Sequence, residues 1–472
     1  MGTRPRRSQK ASVRPELSAD DTYNRRAQRC RNLQASRATM NVDLHYGTGV
    51  VSLRVPDRNV QEIIRPWQGE QTHDAAVDLR DIVDRQAEAF QDAVAGKRVC
   101  VLVDDGTRDE PLADVLPHLC GVLRGTASVQ FLICTGTHTA DTPKNRQIRR
   151  AIEQASRDAG LTVTRIHAHD CRADSFLDVG RTARGTQVLV NAFADQADAF
   201  LAVSDVKVHY FAGYSNPVKN FLPGISAFRT VEQNHSLALL DESTHGAHPW
   251  HPNPEQRNNP LAEDQVQGMD LIARGRPIYA LVMISAAERL IWARFGPVRE
   301  VSAASFLVTD ERNIRTVTPA TRLIVSPGGL SNDEDLYTAQ RALELTRAAV
   351  ADGGEVLFLA ACPNGIGEPQ TLTNFYDRLT APLEEVLRSI QQDYVLYSHK
   401  PYKFAVMIRR LRRIWMHTQI ADDLITAAHL HPVPAPQAVL DNWLAEQPQA
   451  GIIVVDGANK VALRAALPSE SA

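Results

Sequence analysis

Four segments of strand length, the first a continuous apolar run, constrain this chain more than any other feature. They are RVCVLV (Arg98–Val103), SVQFLIC (Ser128–Cys134), TVTRIHA (Thr162–Ala168) and AFLAVSDV (Ala199–Val206). Near-continuous apolar runs of this length belong to strands buried on both faces. Helical patterns fall between them over about Leu112–Leu123 and Lys144–Ala159, and another precedes them over Leu79–Val94, with Gly96 as its stop. Strands and helices in this alternation close into a mostly parallel sheet with helices on both faces. Sheets of that kind take ligands beyond the C-terminal ends of their strands.

The alternation resumes in the second half. RLIVS (Arg322–Ser326) and EVLFLAAC are strands, with a helix over about Leu336–Val350 between them, and helical patterns follow over Thr380–Ile390 and through the basic run around Arg409, Arg410, Arg412 and Arg413. Apolar residues interleave those arginines, which favours a solvated helix face over a nucleic-acid surface. A hairpin is expected over Val42–Val55, and GIIVVDG (Gly451–Gly457) returns to one of the sheets. A helix over about Ala262–Ala273 ends at Gly275, where a domain boundary and hinge are placed, with PIYALVMIS opening the second domain. The expected fold class is α/β: two domains, each a mostly parallel sheet flanked by helices, with the active site in the interdomain crevice. The expected spans are a basic, disordered extension over 1–39, a first domain over 40–274, a second over 275–440, and a return segment and tail over 441–472.

Composition excludes several classes. The formal net charge of −3 gives no general pull toward nucleic acid or membrane. No apolar run approaches the ~20 residues of a membrane span. The six cysteines (Cys30, Cys100, Cys120, Cys134, Cys171, Cys362) are scattered without a CxxC pair, as in reduced thiols of a cytoplasmic protein. Residues 1–39 are Arg-rich without hydrophobic periodicity, and read as a dispensable tail or as sequence upstream of a start at Met40.

The chemistry concentrates between Asp205 and His235. His209 ends an apolar run, Lys219 follows after the turn-rich GYSNP, and His235 lies on a helix opened by Pro223–Gly224. Phe211, Tyr214, Phe221 and Leu222 surround the lysine in sequence, and desolvation makes a lysine amine reactive. DDGTR (Asp104–Arg108) follows a buried strand and offers turn N–H groups, a hydroxyl and a guanidinium suited to an anion. CTGTH (Cys134–His138) sets His138 at the end of the next strand. His245, His248 and His251 are spaced by threes, but a loop rich in Pro and Asn reads as a solvated lid more readily than as a metal site.

Taken together these motifs resemble the lactate racemase family, whose members carry a nickel-pincer nucleotide. The resemblance covers roughly Met40 to the C-terminus, and it rests on His209, Gly213–Ser215, Lys219, Pro223–Gly224 and Asn234–His235 at the family's spacing. It implies a nickel-dependent racemase or epimerase of a 2-hydroxy acid, with the first domain binding cofactor and the second contacting substrate. It implies His138 and His209 as the acid/base pair, one for each enantiomer. One of them takes the hydroxyl proton while the α-hydrogen leaves as hydride to the pyridinium ring. Asp105, Gly106, Thr107 and Arg108 match the family's nucleotide contacts. Lys219 matches the covalent tether of the Ni(II)-pyridinium-3,5-bisthiocarboxylate mononucleotide, and His235, with Lys219, the nickel site. Tyr337, Thr338 and Arg341 match a substrate-holding Tyr-Gln-x-x-Lys segment, with Arg108 also near substrate. Thr for Gln and Arg for Lys point to a 2-hydroxy acid other than lactate, such as a sugar acid or an aryl or dicarboxylic hydroxy acid. SHK (Ser398–Lys400) also resembles a family segment, without an assigned role. Expected partners are the substrate and the host's cofactor-synthesis proteins, with no nucleic acid and no membrane. The alternatives are a cofactor-free binding protein on the same fold, or a metal-dependent hydrolase using the His245–His251 loop.

Overall fold

The computed structural model describes residues 38–67, 78–107, 112–286 and 289–466. Strands β1 (Thr39–Tyr46) and β2 (Gly49–Pro56) pair as an antiparallel hairpin, followed by β3 (Val60–Ile64). Helix α1 (Leu79–Val94) starts at Asp78, whose carboxylate accepts from the backbone N–H groups of Arg80 and Asp81, a conventional N-cap. Next come β4 (Arg98–Asp104), α2 (Leu112–Val122), β5 (Ser128–Cys134), α3 (Pro143–Ala159) and β6 (Val163–Ala168). The ribbon of β7 (Phe176–Arg181) and β8 (Gln187–Asn191) leads to β9 (Ala199–Asp205), and β10 (Lys207–His209) pairs with β11 (Gly213–Ser215). Three helices, α4 (Val218–Phe221), α5 (Phe228–Ser236) and α6 (Pro260–Ala273), precede β12 (Ile278–Ala286) and β13 (Arg289–Pro297).

The second half contains α7 (Val298–Asn313), β14 (Ile314–Val317), β15 (Ala320–Ser326), α8 (Leu336–Thr346), β16 (Val350–Leu359), α9 (Pro369–Leu379), α10 (Leu383–Gln392) and α11 (His399–Arg410). It closes with β17 (Arg413–His417), α12 (Asp422–Ala427), β18 (His431–Pro432), α13 (Pro436–Glu446), β19 (Ile452–Asp456) and β20 (Ala462–Ala465).

Two six-stranded sheets result. The first has the order β13-β12-β9-β4-β5-β6 and is parallel except at the edge strand β13. The second, β18-β17-β16-β15-β19-β3, is parallel throughout. Burial on both sheet faces explains the continuous apolar runs. Along β4, Val99, Val101 and Val103 pack with α1 and α2, while Cys100 and Leu102 pack with Phe221, Met269 and Phe306 on the other face. Leu102 is fully buried, and truncating such a leucine to alanine costs about 2–5 kcal/mol. Among the described residues, no helix is long and apolar enough to cross a membrane.

The strand partition departs from the expected boundary at 274. β12, read as opening the second domain, pairs in parallel with β9 of the first sheet. β3, expected in the first domain, pairs with β19 of the second. The β1–β2 hairpin also packs there, with Val42, Leu44, Leu53 and Val55 against Ile324, Leu357 and Val454. Gly275 therefore lies in the turn that reverses the chain from α6 into β12, inside the first layer, and is not an interdomain hinge. Two helix readings also change. The helix expected through Val350 ends at Thr346, because Val350 already begins β16. The basic run is a helix only to Arg410. Arg413 starts β17, in which Ile414 and Met416 are buried and their neighbours only partly so, the period of two of a strand. The basic extension at 1–39 lies outside the described residues up to residue 37.

Candidate active site between the two sheets

A cavity of about 290 Å³ opens between the sheets, beyond the C-terminal ends of β4, β5 and β9. Its first wall carries Asp105, His138, His209, Lys219 and His235. Its second wall carries Tyr337, Arg341, His399 and Lys400. Apolar packing joins the layers beside it: Tyr210, Phe211 and Leu261 meet Ile314, Leu345 and Ala462.

The loop after β4 is built from its own polar groups. Asp105 is buried, and its Oδ1 accepts from the Thr107 N–H at 3.2 Å and hydroxyl at 2.5 Å. Its Oδ2 lies 2.9 Å from His138 Nδ1. A carboxylate only accepts, so the imidazole proton sits on Nδ1 and Nε2 is left as the basic nitrogen. Gly106 differs from the expected anion-binding turn. Its N–H is buried against Asn145 Oδ1 at 2.8 Å, and a Cβ there would sit 2.3 Å from Lys144 Cβ. Its role is close packing on the start of α3. Neither Gly106 nor Thr107 lines the cavity, and Arg108 lies outside the described residues.

His209 takes the opposite tautomer. Its Nδ1 accepts from the Ala212 N–H at 3.3 Å, which places the proton on Nε2. Tyr210 stacks at 5.3 Å and Phe211 meets it edge-on at 4.5 Å, fixing the ring plane. The cavity thus holds one imidazole presented as a base and another presented as an acid. Both are held by local hydrogen bonds.

Lys219 comes from the single turn of α4. Asn216 Oδ1 accepts from the Val218 N–H at 2.9 Å and sets that turn. Val218, Asn220 and Phe221 are buried, while Lys219 is the residue turned toward the cavity. Asn220 ties the turn to β4 through Asp104 Oδ1 at 2.9 Å. Two of the aromatic residues around the lysine in sequence pack elsewhere, Tyr214 on Phe306 at 4.3 Å and Phe221 against Phe200 at 5.2 Å, while Phe211 lines the cavity with it. Gly213 has φ of 75°, and a Cβ there would lie 1.9 Å from the Ala247 carbonyl oxygen, so only glycine fits.

His235 lies in the last turn of α5. Asn234 anchors that helix to α6 through Asp264 Oδ2 at 2.9 Å. Burial, then the charge of Lys219, pushes the His235 pKa down to about 3, so the ring is neutral. Its Nδ1 is buried and has no hydrogen-bond partner.

On the second wall Tyr337 and Arg341 stand one turn apart on α8 and both reach the cavity. Thr338 does not. It lies about 100° round the helix from Tyr337, and its N–H caps on Asp335 Oδ1 at 2.7 Å. The smaller side chain at 338 therefore leaves no extra room for substrate. His399 and Lys400, which open α11, are the residues that sequence reasoning left without a role. His399 is buried between the hydroxyls of Tyr394 at 2.8 Å and Tyr210 at 3.1 Å. Burial first, then the charges of His235, Lys400 and Lys403, hold its pKa far below the usual value. Lys400 donates to the Tyr337 carbonyl and lies 3.6 Å above that residue's ring. Burial and the charge of Arg341 push its pKa down to about 7. The readable signal was a cation in the first turn of a largely apolar helix, where the macrodipole disfavours it.

The His245–His251 loop is not solvated. His245, His248 and His251 are all buried, each in a different setting. His245 Nε2 is 3.1 Å from the Leu463 carbonyl, His248 packs on Phe306 at 4.7 Å, and His251 Nε2 is 3.4 Å from Asp310 Oδ2. Aromatic packing against Tyr214 and Phe306, together with Arg464 of β20, draws the loop inward. Among the described residues no group of three or more His, Cys, Asp or Glu side chains is placed to hold a metal ion.

Fold and cavity define a two-domain α/β protein with a histidine- and lysine-lined site between its sheets. The lactate racemase N-terminal domain matches residues 46–246. The chain is 25% identical over 339 residues to the lactate racemase of Thermoanaerobacterium thermosaccharolyticum, covering 69% of this chain and 76% of that protein. It is 20% identical over 436 residues to the lactate racemase of Lactiplantibacillus plantarum, covering 88% of this chain and 97% of that one. The apoprotein structure of the Thermoanaerobacterium enzyme superposes with a TM-score of 0.76 at 22% identity, over 90% of this chain and 100% of that structure. A Thermotoga maritima protein shares the fold at a TM-score of 0.58 and 15% identity, over 82% of this chain and 98% of its own. These matches support membership in the lactate racemase family.

Proposed function

We propose that the chain is a racemase or epimerase of a 2-hydroxy acid, working with a nickel-pincer nucleotide tethered at Lys219. The observation that carries this reading is the complementary pair of imidazoles in one cavity. His138 is set as a base by Asp105, and His209 as an acid by the Ala212 N–H. A racemase handles mirror-image substrates, so it needs a proton acceptor on each side of the reacting carbon, and two histidines with exchangeable roles supply them.

The residues present fit the group. His235 offers a neutral imidazole with an orphaned buried Nδ1, and Lys219 offers a primary amine directed into the cavity. Nickel accepts imidazole nitrogen readily. Lys219 would hold the nucleotide covalently and His235 the nickel, with Asp105 and Arg108 on its polar part. Gly106 and Thr107 would shape that loop. The bound group supplies a reversible hydride acceptor. The chain's own residues do the rest. His138 takes the substrate hydroxyl proton at its Nε2 and His209 holds a proton at its own Nε2 to give back on the other side, the two roles exchanging in the reverse direction. Arg341 grips the carboxylate as a planar fork, and Tyr337 walls the substrate. The partners are then the hydroxy acid and the host proteins that make the nucleotide. The five described cysteines are free and buried, in keeping with a cytoplasmic setting.

The test is racemisation of single-enantiomer 2-hydroxy acids by protein expressed with cofactor-synthesis proteins, read by chiral chromatography. His138→Ala and His209→Ala are each expected to lower kcat by about 10²–10⁴. Full activity in either variant would remove the two-histidine mechanism.

A further inference from the structure

Resting on that functional reading, we infer that Asn145 is a positioning residue for the proton acceptor: one buried amide ties the loop that carries Asp105 to the loop that carries His138, and so fixes the tautomer of the imidazole. The last ladder pair between β4 and β5 is Asp104 with Cys134. Asp105 and His138 both lie beyond it, on loops that have left the sheet. Burial does not hold the pair together either. The Asp105 side chain is 4% exposed, but that of His138 is 53% exposed, so the ring keeps its 2.9 Å bond to Oδ2 only while the two loops stay in register.

Asn145 supplies that register. Its Oδ1 accepts from the Gly106 N–H at 2.8 Å, next to Asp105. Its Nδ2 donates to the Ala140 carbonyl at 2.9 Å and the Thr139 carbonyl at 3.4 Å, next to His138. The side chain is buried, and its oxygen and both its N–H donors are used. The reverse amide orientation would set NH₂ against an N–H and oxygen against two carbonyls, so the partners fix the orientation. Helix capping does not account for these bonds. Asn145 is the third residue of α3, where a polar side chain ordinarily reaches back to the N–H of the N-cap residue. Here the Thr142 hydroxyl caps the helix by accepting from the Asn145 N–H at 3.1 Å, and the Asn145 amide is spent across the loops instead. Gly106 permits the approach, because a Cβ there would meet Lys144 Cβ at 2.3 Å. Aspartate is nearly isosteric with asparagine but only accepts. Asn145→Asp therefore keeps the bond to Gly106 and turns an oxygen toward the Thr139 and Ala140 carbonyls, which releases the His138 loop alone.

Two readouts separate positioning from stability and from the racemase reading. The first is imidazole nitrogen-15 NMR of unloaded, histidine-labelled protein at about pH 8, where an ordinary imidazole is neutral, with the His138 signals assigned by His138→Gln. The wild type is expected to hold the proton on Nδ1, and Asn145→Asp to show an average of both tautomers. The second is turnover of loaded protein. There kcat is expected to fall about 10- to 100-fold, the worth of the charge-assisted bond to Asp105, with KM changed less than about threefold. Asp78→Ala removes the cap of α1, a helix that does not line the cavity, and is expected to lower the urea midpoint while leaving both readouts unchanged. Should Asn145→Asp not fold, Asn145→Ser, shorter and uncharged, carries the same expectations. A His138 proton that stays on Nδ1 in the Asn145 variants overturns the inference whatever kcat does, and so does an equal change in Asp78→Ala. A tautomer change confined to the Asn145 variants, in protein that racemises no 2-hydroxy acid, would support the positioning role and sink the racemase reading.

Discussion

Replacing Asp105 by asparagine tests the origin of basicity at His138. The carboxylate does two things. Its Oδ1 takes the Thr107 hydroxyl and N–H, and its Oδ2 takes the His138 Nδ1–H at 2.9 Å. An asparagine keeps the shape, and its carbonyl oxygen satisfies Thr107. Its NH₂ then faces His138 and needs an acceptor, so the imidazole proton moves to Nε2 and the base is lost. The charge-assisted hydrogen bond alone is worth about 1.5–3 kcal/mol, or roughly 10- to 150-fold. Loss of a positioned base is worth about 10²–10⁴, and the wrong-tautomer substitution in serine proteases falls at the upper end. The expected outcome for Asp105→Asn is a kcat lower by about 10²–10⁴, with KM changed less than about threefold and nucleotide loading on Lys219 intact. The assay is initial-rate racemisation with intact mass as the loading control. Retention of more than about a tenth of wild-type kcat in loaded Asp105→Asn would refute the assignment of the base to His138 Nε2.

Two further outcomes follow from packing and burial. Gly213→Ala places a Cβ 1.9 Å from the Ala247 carbonyl at a φ of 75°, and is expected to cost about 3 kcal/mol or more, read as a fall in the urea midpoint. His248 is fully buried and its pKa is pushed down to about 3 by burial, then by His251, so the folded state binds fewer protons than the unfolded chain between pH 3 and 6.5. Stability therefore falls as pH drops through that window, by about 2 kcal/mol between pH 6.5 and 5 for one such group, and His248→Leu is expected to flatten the slope of unfolding free energy against pH.

The strands β4 and β5 were legible almost to the residue, because a strand buried on both faces leaves a continuous apolar run. Helix α1 was legible because its pattern is helical and Gly96 marks its end. Which sheet a strand joins was not. β3 and β12 have ordinary strand patterns, and their exchange between layers depends on partners distant in sequence. β17 was masked by its arginines, which suggest a helix until Ile414 and Met416 are seen to alternate. Of the residues singled out at fixed spacing, His138, His209, Lys219 and His235 come together in one cavity. Motif matching failed at Gly106, whose N–H is spent on Asn145, and at Thr338, which faces away by helical geometry. It also failed at His245, His248 and His251, where polar composition concealed burial against Phe306 and Tyr214. Lys400 stood in plain sight, but its burial over the Tyr337 ring is a fact of tertiary packing.

The central claim is that Lys219 and His235 together hold a nickel-bearing nucleotide. Its most direct test is intact mass and nickel content of protein expressed beside cofactor-synthesis proteins, with peptide mapping of the adduct. The account predicts an increment on Lys219 and about one nickel per chain in the wild type. It predicts the increment without stable nickel in His235→Ala, and neither in Lys219→Ala. An unmodified Lys219 without nickel, in cells that load a control lactate racemase, would contradict it.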